Sequence, residues 1–96
     1  MTLIANIGFA RPLSERMSDG VFWVLKDNTD GRSFPGMAAG IWLEVFNSNS
    51  HRVLVGVDLG GTEPRNRTTG FFLNPGETRN VRVRAGDATV HMVQRN

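Results

Sequence analysis

The chain has 96 residues, 40% of them hydrophobic and 21% charged, with 11 glycines and no low-complexity tract, which is the composition of one small globular domain rather than a disordered chain. It contains no cysteine, which excludes a disulfide framework and any thiolate metal site. Net charge is only +2, but residues 1–51 hold four basic and five acidic side chains while residues 52–96 hold seven arginines against four acids. Ten of the eleven basic residues are arginine, the cation whose planar fork binds carboxylates and carbonyls bidentately and stacks on aromatic rings.

No window sustains apolar residues at i, i+3, i+4 and i+7 over three turns, so helix is a minor component, and alternation recurs instead. In Leu3-Ile4-Ala5-Asn6-Ile7-Gly8-Phe9, the residues Leu3, Ala5, Ile7 and Phe9 share one side of a strand. The same N-terminus has no early positive charge, and Asn6 and Gly8 interrupt its apolar letters, so it does not read as a signal peptide. Residues 10–20, with Pro12 and mixed charge, read as a loop or arm that crosses to another subunit. Val21-Phe22-Trp23-Val24-Leu25 is a continuous apolar run suited to a strand covered on both faces, and far too short for a membrane helix.

Ile41, Leu43 and Val45 alternate with Trp42, Glu44 and Phe46, and Val53, Val55, Val57 and Leu59 line one face of a strand with Gly56 and Asp58 opposite. Gly70 to Leu73 is a short strand, Val81 and Val83 alternate with Arg82 and Arg84, and Thr89 to Val93 is the last strand. Turn chemistry separates these runs: Asp27 to Gly31, Asn47 to Ser50, Gly60 to Pro64, Asn74-Pro75-Gly76-Glu77 and Ala85-Gly86-Asp87. The Asn-Pro-Gly sequence is a type II signal, because proline fixes φ at the second position and glycine allows φ > 0 at the third. The expectation is an all-β chain, residues 1–96 forming a single β-sandwich or jelly-roll-like barrel of about seven short antiparallel strands, with residues 1–20 as an N-terminal strand and arm.

The string Val53 to Thr62, VLVGVDLGGT, resembles the first phosphate-binding loop of the actin-like sugar kinases. Those kinases need a second phosphate motif, an adenosine motif and two closing lobes, in a chain several times longer. Here Glu63, Pro64, Arg65, Asn66 and Arg67 follow the glycines where the kinases continue a hairpin, so the string reads as a core strand and the start of a loop. Placing Gly31 sixth in a calcium loop would put Lys26 first and Met37 twelfth, neither of which ligates calcium. His51 and His91 have no cysteine or carboxylate at ligand spacing, Ser14, Ser18 and Ser33 lack an elbow context, and Asn66-Arg67-Thr68 reads as a chance glycosylation match. The chain reads as a non-enzyme without cofactor or metal, soluble and made in the cytoplasm.

Two constellations remain as binding candidates. Arg82 and Arg84 point the same way from one strand, and with Arg65, Arg67 and Arg79 from neighbouring loops they form a basic face for an acidic protein, an acidic sugar or nucleic acid, or else a solvated face that discourages edge aggregation. Trp42 and Phe46 form a sugar-stacking platform or an interface anchor, while Trp23 belongs to the core.

From Ile41 the order is IWLEVFNSN, then HRVLVGVD, a polar loop, TTGFFLNPGET, NVRVR and a closing ATVHMV. Over residues 41–93 this resembles the small β-sandwich proteins attached to tailed-bacteriophage particles, in which a Val-x-Val-Gly strand is followed by a Gly-Phe-x-Leu-x-Pro-Gly-Glu turn. The resemblance implies a capsid decoration or minor virion protein made in the host cytoplasm. Its partners would be a major capsid or other virion protein and further copies of itself, with a trimer favoured and with no membrane or nucleic-acid partner. The alternative is a carbohydrate- or receptor-binding module using Trp42 and the loop from Gly60 to Gly70.

Overall fold

In the computed structural model, residues 16–62 and 67–96 are described. The expected strand at Leu3 to Phe9, most of the arm and Arg65 lie outside these residues. The described chain contains seven strands: β1 (Arg16–Ser18), β2 (Val21–Asn28), β3 (Gly40–Asn47), β4 (Val53–Asp58), β5 (Thr68–Leu73), β6 (Thr78–Val83) and β7 (Thr89–Arg95). All pairings are antiparallel. One sheet has the order β1-β2-β3-β6 and the other β5-β4-β7, so among the described residues neither sheet closes on itself and the architecture is a two-sheet sandwich. The described residues include no helix long and apolar enough to cross a membrane.

Alternation does what period-2 patterning dictates. Val21, Trp23, Leu43, Val45 and Val83 of the first sheet face Val53, Val55, Val57, Leu73 and Val90 of the second, and these residues are the core. On the other side of β2, Phe22 and Val24 are buried as well, in keeping with its unbroken apolar run. Trp42, Glu44 and Phe46 point outward from β3, where Glu44 meets Lys26 at 3.1 Å.

The arm region differs from expectation. Residues 16–18 form β1, which turns into β2 through Asp19 (φ 51°) and Gly20 (φ 78°), with Ser18 and Val21 as the closing pair. Two successive residues at positive φ make a two-residue turn of the type I′ class, whose twist matches that of the strands it joins. The Asn-Pro-Gly turn forms as expected, with the Glu77 amide donating to Asn74 O at 3.0 Å and Gly76 at φ 76°.

Two fully buried asparagines organise opposite ends of β2 and β3. Asn28 Nδ2 donates to the carbonyls of Phe34, Met37 and Ala38, while its Oδ1 accepts from the Phe34 amide, which folds residues 29–39 into an ordered loop where a tight hairpin was expected. Asn47 Nδ2 donates to the carbonyls of His51, Leu73 and Asn74, and its Oδ1 accepts from the Asn49 amide and side chain. Asn49 Nδ2 in turn holds Asp19 O, and Ser48 Oγ holds Gly20 O at 2.6 Å. Asn47 therefore ties the β1–β2 turn, the β3–β4 turn and the β5–β6 turn into one end of the sandwich.

Candidate interaction surface

The Val53 to Thr62 string has a structural use for its glycine pair, Gly60 and Gly61. β4 ends at Asp58, whose Oδ1 accepts from the Gly60 amide at 2.8 Å, and Asp87 Oδ1 accepts from the Gly61 amide at 3.0 Å. These are the two amides that a phosphate would need, and both already donate to carboxylates of the chain itself. Gly60 (φ 83°) also lies so close to the β6–β7 loop that an added Cβ would stand 2.5 Å from Asp87 Oδ1 and 2.9 Å from the Ala88 amide nitrogen. The string is a strand end strapped to its neighbour.

Asp58 is held below the ordinary aspartate value of 3.8 by the Gly60 amide first, and then by the charge of Arg67, whose Nη2 lies 3.4 Å away. Asp30 is lowered likewise by the amides of Arg32 and Ser33 and by the Ser33 hydroxyl. A folded-state value below the unfolded one gives stability that is present above pH 3.8 and is lost as pH falls through the folded value. The double variant Asp30→Asn/Asp58→Asn should therefore melt below the parent at neutral pH, with a gap that closes as the pH drops below 3.8. Melting curves across pH check this, and a gap independent of pH would contradict it.

Among the described residues, the candidate arginines are distributed over both sheets. Arg82 stands on the outer side of the first sheet, its guanidinium 4.9 Å from the centre of the Trp42 ring, its register partner. Arg79 is a β6 residue rather than a loop residue. It lies over Phe71 of the other sheet at 4.8 Å and within 3.7 Å of Glu77, closing one side of the sandwich. Arg67 belongs to Asp58 and the second sheet, and Arg84 follows the end of β6, where its amide donates to Leu59 O. Trp42 and Phe46 do share an outer face, but Trp42 Nε1 donates to Ala38 O and one ring face lies under Arg82. Phe46 packs beside its register partner Phe22.

The sequence pattern did not single out the outer face of the second sheet. Here Leu54 lies opposite Phe72, Gly56 opposite Gly70 on one side and Met92 on the other. A bulge inserts His91 beside Met92, and both side chains lean over Gly56, where an added Cβ would stand 2.9 Å from the His91 ring. Phe72 is 44% exposed and Met92 36%, with Leu54 half-buried between their strands and Arg52 stacked 4.5 Å from the Phe72 ring centre. Gly56 is thus buried beneath His91 and Met92, and the face exposes Gly70, Phe72 and Met92 beside the half-buried Leu54 and one arginine. Its recognition signal is the pair of glycines on neighbouring strands beside exposed large residues, which only the register reveals.

Among the described residues no three of His, Cys, Asp or Glu group as a metal would require. Comparison with protein-family models, with curated proteins and with solved structures gives no match to this chain.

Proposed function

We propose that the protein is a non-enzymatic structural component of a phage virion, decorating or cementing the capsid, or serving as a minor tail component, through protein–protein contacts. The observation that carries this reading is the outer face of the second sheet, where Phe72 and Met92 are exposed beside the half-buried Leu54 and Arg52 stacks on Phe72. Exposed large apolar side chains grouped together on a small domain mark contact sites, and aromatic residues, methionine and arginine are the types enriched at them. The resemblance over residues 41–93 supplies the virion setting. Dispersal of the arginines, with Arg67, Arg79 and Arg82 each engaged by an acid or a ring, favours a protein surface over a nucleic-acid polymer as partner. Many copies on one particle would multiply a weak contact by avidity.

The carbohydrate-binding alternative needs an aromatic ring free to stack. Trp42 has one face under Arg82 and its indole N–H committed to Ala38, which weighs against it as that platform. Gradient sedimentation of a lysate from the source, with peptide mass spectrometry of each fraction, tests the reading. Comigration with large particles at a fixed ratio to a major shell protein is the expected result. Recovery only in the soluble fractions would overturn the virion assignment and direct glycan titration to the aromatic residues.

A further inference from the structure

Among the described residues the sandwich has four unpaired edge strands, and three of them carry a feature that hinders pairing with another chain. β1 carries Arg16 within its described residues, β6 carries Arg79 and Arg82, and β7 has the His91 bulge and ends at Arg95. β5 has none of these. Its six residues, Thr68-Thr69-Gly70-Phe71-Phe72-Leu73, include no charge and no proline, and its register with β4 runs without a shift from Val53 and Leu73 to Asp58 and Thr68. Thr68, Thr69, Gly70 and Phe72 are all exposed. β-branched and aromatic residues in a regular, uncharged edge are what strand addition uses.

We infer that β5 is a self-pairing edge, and that two copies of this chain join β5 to β5 in antiparallel fashion to make one six-stranded sheet. The occupant is a second copy because the strand is complementary to itself. Residues of like parity must lie opposite one another if the outer faces are to stay continuous, since a one-residue slip would turn every side chain over. One such register sets Phe72 opposite Gly70 of the second copy, twice, by symmetry. Each ring then covers a glycine that leaves the edge without a side chain, an arrangement known to pin strand register. On the inner side the same register sets Thr69 opposite Leu73 of the second copy. A two-fold operator also uses the same patch on both copies, as the commonest protein dimers do.

This pairing stands apart from the virion reading and can hold or fail without it. The test is sedimentation velocity of the full chain over a concentration series, for the native protein and for Thr69→Lys and Met92→Lys. Both positions are exposed, and Met92 lies on the opposite edge strand of the same sheet. The native chain should move from 10.6 kDa toward twice that mass as concentration rises. Thr69→Lys should weaken the dimer at least about tenfold, the size expected for a charge placed on a paired edge, and Met92→Lys should leave it intact. Far-UV circular dichroism of each variant confirms that the fold is kept. A native chain that stays at 10.6 kDa up to its solubility limit would overturn the inference. So would a dimer indifferent to Thr69→Lys, or one that Met92→Lys disrupts equally, which would indicate β5 joined to β7 in a head-to-tail ring.

Discussion

Replacing Asn47 with alanine is expected to lower stability by about 3 kcal/mol, because it strips a fully buried amide from the carbonyls of His51, Leu73 and Asn74 at once. A lost hydrogen bond between exposed groups would cost far less. Here three acceptors near the core lose their donor, and the Asn49 amide and side chain lose the oxygen that fixes the turn holding β1 to β2. In a domain of this length that corresponds to a fall in Tm of about 12 to 24 °C. Asn47→Asp sharpens the test: it keeps an acceptor for Asn49 but points a carboxylate oxygen at the carbonyls, so it should be at least as harmful at neutral pH. Thermal denaturation of both variants checks this. A loss below about 1 kcal/mol for the alanine variant would mean that water takes over the three carbonyls without difficulty.

Gly60→Ala is expected to cost about 2 to 4 kcal/mol, combining a left-handed backbone with a methyl group driven into the β6–β7 loop. Gly61 supplies the internal control. Its φ is 88°, close to the 83° of Gly60, yet an added Cβ there would find nothing nearer than 3.9 Å. Gly61→Ala should therefore show the backbone cost alone, about 1 to 2 kcal/mol. The difference between the two variants measures how tightly the end of β4 is strapped against Asp87 and Ala88. Equal losses would mean that the strap gives way, and that the close approach of Gly60 contributes nothing to stability.

These predictions rest on features that were unevenly legible in the sequence. The alternating faces of β3, β4 and β6, the doubly covered β2 and the Asn-Pro-Gly turn follow from local patterning, because one buried face imposes period 2 and a type II turn demands glycine at its third position. Residues 10–20 read as a loop or arm because Arg-Met-Ser, the described part of the strand before the Asp19-Gly20 turn, is too polar to show alternation. Asn28 and Asn47 read as ordinary turn residues, since nothing in the turn itself tells an exposed asparagine from one buried under three carbonyls, those of the following loop for Asn28 and those of His51, Leu73 and Asn74 for Asn47. The positions of the arginines were hard to read for a related reason. Arg79 was read as a loop residue, but β6 begins before it, so it shares the parity of Val81 and Val83 and reaches across to Phe71 of the other sheet, while the register that sets Arg82 over Trp42 is not visible in either segment alone. The outer face of the second sheet needed the register of three strands, which no single segment carries.

The central claim is that the chain acts by contact through the outer face of its second sheet, and Met92→Glu tests it most directly. Purified native and variant proteins would be mixed with particles from the source that lack this chain, and the bound fraction measured after gradient sedimentation. The account predicts that the native protein enters the particle fractions, and that the variant, folded to the same Tm, binds about tenfold more weakly, the size of an ordinary contact-site residue. Equal binding by the two proteins, or no binding by the native chain, would contradict it.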